Sequence, residues 1–239
     1  MYEVLRGKNV FLSGATGGIG SKLAFELAKT KCNLFLTGQN KEKLNQLESE
    51  FSQFNEIKVH CRAANLEKQT DVSFLIDEAK RTLGSVDILI NCAGIFIVKP
   101  LIETTFEEYE RCLNVNLRAP FLFTKEFSKE MIENKWGRVI NIGSSSSYSG
   151  FKNTSLYCAS KHALLGLSRS LHNELKESNI RTYCFSPGSV KTEMGKKVKN
   201  QNFDTFIDPE ELAKYVVYTI GYDSNMISEE IRLNRINIK

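Results

Sequence analysis

A tyrosine and a lysine four residues apart, Tyr157 and Lys161, form the pair in this chain with the clearest capacity for chemistry. They open a helical pattern, so the spacing predicts both side chains on one face of a helix, one turn apart. The ordinary pKa of tyrosine is about 10, and a neighbouring ammonium favours the phenolate. We therefore expect Lys161 to lower the pKa of Tyr157, which would then exchange a proton with a carbonyl or alcohol oxygen.

The spacing alone does not identify the pair, because Tyr148 and Lys152 repeat it nine residues earlier. Tyr148 lies in a segment rich in serine and glycine, where no helix would align the two side chains. We therefore interpret the pair at 148 and 152 as a coincidence of spacing, and the pair at 157 and 161 as the functional one.

A glycine-rich turn follows the first apolar run of the chain. Residues 13–20 read Ser-Gly-Ala-Thr-Gly-Gly-Ile-Gly and lead directly into a helical pattern. Free backbone N–H groups and the helix dipole at such a turn bind a diphosphate, and glycines let the backbone approach it. The spacing differs from the commoner Gly-x-Gly-x-x-Gly fingerprint, and a plain tight turn is the alternative. Its position after the first strand favours a dinucleotide-binding turn.

The end of the second apolar run bears on which dinucleotide binds. Residues 37–40 read Thr-Gly-Gln-Asn, so no acidic side chain is available to bind an adenosine ribose hydroxyl or to repel a 2′-phosphate. The sequence thus favours NADP(H), with NAD(H) as the alternative because position 39 is Gln39 and position 17 is glycine, not arginine. Lys41 and Lys43 either supply positive charge there or are simply solvated.

Short apolar runs alternate with helical patterns along the chain. Strands are predicted at residues 10–12, 33–37, 58–62, 87–90, 139–142, 181–185 and 231–233. Helices are predicted at residues 21–29, 41–54, 69–83, 106–134, 155–177 and 209–220. Continuously apolar strands that each precede a helix are typical of a parallel sheet covered on both faces. We expect an α/β fold, a single-domain doubly wound (Rossmann) parallel β-sheet flanked by helices, over residues 1–239.

Composition excludes several classes of protein. The chain has 239 residues, a net charge of +4, 41% hydrophobic and 25% charged residues, which excludes a disordered tail, a collagen-like fibre and a disulfide-dense miniprotein. Six widely spaced cysteines without a Cys-x-x-Cys pair, and three dispersed histidines, predict free thiols, no metal site and a cytoplasmic location. The one dense basic run, residues 196–199, is short and read as a solvated loop, so we expect no nucleic-acid partner. We also expect no membrane segment and no signal peptide.

Taken together, these motifs resemble those of the short-chain dehydrogenase/reductase family over nearly the whole chain. Ser13 replaces the usual threonine of the glycine turn, and Cys92 replaces the second asparagine of Asn-Asn-Ala-Gly. Ser144 precedes Tyr157 by thirteen residues, as the catalytic serine of the family does. The remaining matching segments are residues 65–66, 114–117, 157–161 and 187–192.

The resemblance implies four catalytic residues. Tyr157 would be the general acid and base, and Ser144 would hydrogen-bond the substrate oxygen, although Ser145 in the same serine run stays an alternative. Lys161 would hold the nicotinamide ribose and lower the pKa of Tyr157. Asn116 would position a water that links Lys161 to solvent, with a purely structural asparagine in a bent helix as the alternative.

The resemblance also implies a set of cofactor-binding residues. Thr192 would bind the nicotinamide carboxamide, and the residues after the third strand would contact adenine. The full set is Gly14, Thr16, Gly18, Ile19, Gly20, Gln39, Asn65, Leu66, Asn91, Ala93, Gly94, Tyr157, Lys161, Pro187, Gly188, Val190 and Thr192.

The expected function is reduction of a carbonyl to a secondary alcohol with NADP(H), or the reverse reaction, on a small-molecule substrate. The alternatives are an NAD-dependent alcohol dehydrogenase, a 3-oxoacyl-thioester reductase and, as the least favoured, a non-catalytic dinucleotide-binding sensor. Substrate-pocket walls are expected at residues 95–101, 146–155 and 193–204. There, Phe96, Phe151 and Phe203 indicate an apolar substrate, with plain packing of these rings as the alternative.

Two segments depart from the family's pattern. The tail at residues 226–239 contains no glycine, and the segment at residues 193–207 is short for a substrate lid. Both departures argue against a carrier-protein substrate and against a tetramer. A homodimer through the helices at residues 106–134 and 155–177 is expected by resemblance, with a homotetramer as the alternative.

Overall fold

The computed structural model of the chain describes residues 2–236. Met1 and residues 237–239, the end of the glycine-free tail, lie outside the described residues. The side chain of Tyr2 is likewise not described.

Seven parallel strands form one sheet in the order β3-β2-β1-β4-β5-β6-β7. The strands are β1 Asn9–Ser13, β2 Asn33–Gly38, β3 Val59–Ala63, β4 Ile88–Asn91, β5 Gly137–Ile142, β6 Ile180–Pro187 and β7 Glu230–Leu233. Each predicted strand is present, within one or two residues of the expected bounds at most ends. The doubly wound parallel sheet expected from the alternating pattern is therefore confirmed.

Seven α-helices cover the two faces of the sheet in the described part of the chain. They are α1 Gly18–Lys29, α2 Lys41–Phe51, α3 Gln69–Leu83, α4 Phe106–Leu113, α5 Ala119–Glu133, α6 Ser155–Leu175 and α7 Pro209–Ile220. In β1, Val10 and Leu12 pack into one buried cluster with α1, α2 and α7, whereas Phe11 packs into the other with α3 and α5. Because successive side chains of a strand point to opposite faces, a strand with both faces covered must be apolar throughout.

The strand order reverses direction at β1, which pairs with β2 on one side and with β4 on the other. Ser13 at its end lies opposite Thr37 of β2 and Asn91 of β4. In an open parallel sheet the loops after two such strands leave in opposite directions, and the crevice between them is the usual ligand site.

The single long helix predicted over residues 106–134 is wrong in its middle. A π-helical turn, Asn114–Arg118, separates α4 from α5. Pro120 stands at the start of α5 and has no N–H to donate to the carbonyl of Asn116, and its ring crowds that carbonyl. The wider turn removes this conflict, so Pro120 was the sequence signal for the break.

The predicted end of the second helix was also too late. Helix α2 ends at Phe51, three residues before the expected Phe54. Both rings pack with Phe25 of α1, at centroid distances of 4.7 Å for Phe51 and 6.4 Å for Phe54. Phe54 is apolar because it packs on Phe25, and its spacing from Phe51 therefore looked like a continuation of the helix.

Membrane-spanning helices and metal-binding clusters, neither of which the sequence predicts, were sought among residues 2–236. Among them, no helix combines the length and the hydropathy that a membrane crossing requires. The same residues contain no group of three or more His, Cys, Asp and Glu side chains arranged to hold a metal ion. All six cysteines are free thiols.

We predict that Gly20→Ala destabilises the fold. A Cβ at position 20 would lie 2.1 Å from the carbonyl oxygen of Gly14, and backbone cannot move aside as a side chain can. We expect the free energy of unfolding in urea to fall by about 1–3 kcal/mol. Gly150→Ala is the control, since a Cβ there meets no atom within 4 Å. Equal stability of the two variants would contradict the prediction.

Candidate active site

A cleft of about 1020 Å³ opens at the carboxyl ends of the strands, at the crevice beside β1. It is lined by the loops that follow β1 to β6. Of the residues predicted from the sequence, the cleft brings together Gly14, Thr16, Gly18, Ile19, Gly20, Gln39, Asn65, Leu66, Ala93, Gly94, Ser144, Tyr157, Lys161, Pro187, Gly188, Val190 and Thr192. Two predicted residues, Asn91 and Asn116, do not line it.

The glycine turn forms one wall of the cleft. Gly14 has a φ of +77°, and a Cβ on it would lie 2.6 Å from the backbone nitrogen of Ala93, so only glycine fits there. Helix α1 begins at Gly18 after Gly17, which contributes no side-chain cap. The N–H groups of the first helical turn therefore remain available to a ligand. This arrangement fits a diphosphate.

The end of β2 and the loop after β3 form the far end of the cleft. Gln39 and Lys43 line it, and Lys43 makes no ion pair with any described residue. The hydroxyl of Thr37 is buried in the same wall without a hydrogen-bond partner. A buried hydroxyl without a partner needs an explanation, and a bound ligand would supply one.

Tyr157 and Lys161 lie on one face at the start of α6, as their spacing predicts. Tyr157 is buried, with its ring edge-on against Phe96 at a centroid distance of 4.7 Å. The Lys161 Nζ lies 5.8 Å from the centre of the tyrosine ring and donates to the carbonyl of Ile142 at 2.7 Å. Ile142 ends β5, so the sheet itself positions the ammonium.

The predicted lowering of the tyrosine pKa is not found. Burial raises the pKa of Tyr157 to about 12, and a hydrogen bond with the Ser144 side chain acts in the opposite direction. Burial also lowers the pKa of Lys161. Both shifts have one cause, since a water-poor site disfavours the charged form of each group. The hydroxyl of Tyr157 is therefore a protonated donor throughout the neutral range.

Asn116 lies in the π-helical turn and is fully buried. Its Oδ1 accepts from the Ile95 N–H at 2.9 Å, and its Nδ2 donates to the Ile95 carbonyl and to the Ser160 hydroxyl, both at 3.0 Å. The side chain thus ties the loop after β4 to the helix that carries Lys161. Asn116 therefore has a structural role, and it also lies next to the helix that carries Tyr157 and Lys161.

Gly94 keeps a space open between Asn116 and the lysine. A Cβ on Gly94 would lie 3.5 Å from the Asn116 Oδ1 and 3.7 Å from the Lys161 Nζ. Both polar atoms therefore border the same small volume. A side chain at position 94 would therefore contact both polar atoms.

Asn91 supports the site from inside the sheet. Its amide donates to Asn141 at 2.8 Å, Asn141 donates to Ser168 at 2.9 Å, and Ser168 donates to the Leu164 carbonyl at 2.8 Å. This chain of hydrogen bonds links β4, β5 and α6. The side chain of Asn91 points into the protein and not into the cleft, in contrast to the cofactor contact expected from the sequence.

Tyr148, the other tyrosine of the repeated spacing, points away from the cleft. Its hydroxyl donates to Glu230 of β7 at 3.0 Å, and the residue is not helical. Lys152 is exposed at the rim of the cleft. The structure thus separates the two tyrosines as the sequence context indicated.

Each of the three predicted wall segments contributes some of its residues to the cleft. Phe96 and Phe151 line the cleft, whereas Phe203 packs against Phe206 at a centroid distance of 5.2 Å and does not line it. Lys197 and Lys199 line the cleft although their basic run was read as a plain solvated loop. The basic run at residues 196–199 was visible in the sequence, but only the fold shows that two of its lysines face the cleft.

Comparisons with known proteins agree with this geometry. The model of the family described as short chain dehydrogenase matches residues 8–202. The 3-oxoacyl-[acyl-carrier-protein] reductase FabG of Rickettsia felis is 33% identical over 233 residues, covering 94% of this chain and 93% of that protein. Nodulation protein G of Rhizobium sp. (strain N33) is 34% identical over 201 residues, covering 84% and 80%.

Two solved structures have the same fold at similar identity. A metagenomic short-chain oxidoreductase in complex with NADP has a TM-score of 0.86 and 27% identity, with 98% of this chain and 99% of that chain covered. A blue fluorescent protein from a metagenomic library in complex with NADPH has a TM-score of 0.87 and 29% identity, with 96% of each chain covered. The protein belongs to the short chain dehydrogenase family and is an oxidoreductase.

Proposed function

We propose that this protein reduces a carbonyl to a secondary alcohol with NADP(H), or runs the reverse reaction, with Tyr157 as the general acid and base. The observation that carries the proposal is the buried, protonated hydroxyl of Tyr157 in the cleft, which Ser144 and Lys161 also line, with Lys161 one helical turn away. Reduced NADP, when bound, supplies the hydride that a carbonyl carbon accepts. Tyr157 gives its proton to the carbonyl oxygen. The hydride and this proton are the two hydrogens that convert the carbonyl to an alcohol.

The neighbours of Tyr157 have distinct roles in this proposal. Ser144 orients the substrate oxygen, and it is favoured over Ser145 because its side chain, unlike that of Ser145, acts on the pKa of Tyr157. Lys161 holds the nicotinamide ribose from its position on the Ile142 carbonyl. A water beside Gly94, between Asn116 and Lys161, returns a proton from solvent after each turnover.

We predict that Tyr157→Phe lowers the rate of reduction by about 10²- to 10⁴-fold, because it removes the proton donor and leaves the ring in place. The measurement is the loss of NADPH absorbance with ketones, aldehydes and 3-oxoacyl thioesters. Tyr218→Phe, on the exposed face of α7, is the matched control and should keep full activity. NADPH binding without turnover in the wild-type protein, unchanged by Tyr157→Phe, would support the non-catalytic sensor instead.

NADP(H) is the proposed cofactor, with NAD(H) as the alternative. The first-turn N–H groups of α1 fit a diphosphate, and no carboxylate at the end of β2 opposes a 2′-phosphate. Lys43, which lines the cleft beside Gln39, supplies the positive charge in this proposal. The NADP and NADPH complexes of the two similar solved structures add support.

We predict that Lys43→Gln weakens NADPH binding by about tenfold and leaves NADH binding nearly unchanged, because only NADPH carries the phosphate. Equilibrium titration of dinucleotide fluorescence measures both affinities without any turnover. Lys41→Gln is the control, since Lys41 lies in the same helical turn but does not line the cleft. An equal loss for both dinucleotides would contradict a phosphate contact.

A 3-oxoacyl thioester is the second candidate substrate. The similarity to 3-oxoacyl-[acyl-carrier-protein] reductases favours it, at 29–33% identity. The exposed lysines at the rim, Lys152, Lys197 and Lys199, suit an anionic carrier. The short lid and the glycine-free tail argue for a smaller free carbonyl compound. The substrate panel above separates the two, because only a thioester reductase would prefer the thioesters.

We also propose a homodimer through the helices at residues 106–134 and 155–177, that is α4, α5 and α6. We place the protein in the cytoplasm, where free thiols stay reduced. Large apolar side chains are exposed along this surface: Leu101, Ile102, Phe106, Tyr109, Phe121 and Ile132. Ile102 is 95% exposed and Phe106 67%, which is costly for a monomer in water.

We predict that the combined substitution Phe106→Asp and Phe121→Asp converts the dimer to a monomer, because burying two carboxylates in an apolar interface is unfavourable. Light scattering coupled to gel filtration measures the mass. Tyr218→Asp on α7 is the control and should leave the dimer intact. A wild-type protein that already elutes as a monomer would contradict the proposed interface.

A further inference from the structure

A second, smaller cavity lies on the other side of the loop that carries Ser144. Its volume is about 310 Å³, and it lies between that loop and the carboxyl ends of β6 and β7. Ser145 lines both this cavity and the main cleft. The lining contains no acidic side chain and consists of Ser145, Tyr148, Ser149, Ser186, Arg232 and Asn234.

The guanidinium of Arg232 is held in place without being neutralised. Its Cζ lies 3.7 Å from the centroid of the Tyr148 ring, which is close cation–π stacking. Within residues 2–236 it donates no hydrogen bond and makes no ion pair. Stacking occupies the face of the guanidinium and leaves the N–H donors at its edge free for a ligand.

Glu230, the carboxylate that contacts Tyr148, is already engaged by other groups. It accepts from the Tyr148 hydroxyl at 3.0 Å and from Arg169 at 2.5 Å and 3.0 Å. The Arg169 contact lowers the pKa of Glu230, so this carboxylate stays charged and is balanced by Arg169. Glu230 is thus balanced by Arg169, and the positive charge of Arg232 has no ion-pair partner among residues 2–236.

The other polar groups of the cavity also have hydrogen-bonding capacity to spare. In the described chain, the hydroxyls of Ser145 and Ser149 and the amide of Asn234 make no side-chain hydrogen bond. Hydroxyl and amide N–H groups around a guanidinium form a donor set suited to an oxyanion. We propose that this cavity binds a carboxylate or phosphate group on Arg232, with hydrogen bonds from Ser145 and Ser149.

The bound oxyanion has two possible sources. It is either the anionic end of a carbonyl substrate that reaches past Ser145, or a free small anion that holds the Ser144 loop from behind. Both sources present the same chemistry to Arg232. Oxyanion binding itself does not rest on the proposed function, whereas the assignment to a substrate does.

Binding is tested on the full chain by isothermal titration with inorganic phosphate at constant ionic strength. We expect saturable binding to the wild type, weakened about tenfold or more by Arg232→Gln. Arg81→Gln, which removes an exposed arginine of α3, is the matched control and should bind phosphate as the wild type does. Ser149→Ala, which leaves the Arg232 stacking intact, should weaken binding by a smaller factor without changing the melting temperature.

Two results would overturn the proposal. One is the absence of phosphate binding to the wild type across the millimolar range. The other is equal binding by the wild type and Arg232→Gln, because the guanidinium would then contribute nothing. Both results are binding measurements that need no turnover. They can therefore be distinguished from a failure of the proposed reductase activity.

Kinetics with paired substrates distinguishes the two sources. A 3-oxo carboxylate and its neutral ester are compared as substrates of the wild type and Arg232→Gln. If the substrate supplies the anion, Arg232→Gln raises the KM of the carboxylate alone. If a free anion binds, phosphate changes the KM of the neutral ester in the wild type and not in Arg232→Gln. Either result supports the site.

Discussion

The buried ammonium of Lys161 is the constraint around which the site is built. A charged group removed from water needs a partner, and the carbonyl of Ile142 at the end of β5 provides it at 2.7 Å. This contact requires α6 to begin beside the end of β5, and therefore brings Tyr157 to the floor of the cleft. The same burial raises the pKa of Tyr157 and lowers that of Lys161. One packing relation thus sets both the geometry and the protonation of the pair.

The surrounding loops are tied to this pair by polar contacts inside the protein. Asn116 in the π-helical turn binds the Ile95 backbone and Ser160, so a break in a helix becomes a means of joining α5, the β4 loop and α6. Asn91 and Asn141 extend a second chain of hydrogen bonds through the sheet to Ser168. Buried networks of this kind keep loops in register at a site where the backbone must stay open to a ligand.

The end of the chain has a role that a glycine-rich tail would not provide. Arg235 donates to Thr205 at 2.9 Å and to Gln201 at 2.6 Å, which fastens the short lid to the segment after β7. Arg232, two residues after the start of β7, stacks on Tyr148 and borders the second cavity. The two segments that depart from the family's pattern, residues 193–207 and the tail, are therefore joined to each other by hydrogen bonds.

Local patterns in the sequence were sufficient for the sheet and most of its helices, whereas most of the predicted lining of the cleft came from the resemblance to the family. Apolar period and turn chemistry act between near neighbours, so the glycine turn and the Tyr157–Lys161 pair could be recognised without the fold. The shift of the Tyr157 pKa, the inward direction of Asn91 and the stacking of Arg232 on Tyr148 were decided by the tertiary structure. Each depends on residues 50 to 84 positions apart, or on the depth of burial, and no local period encodes either.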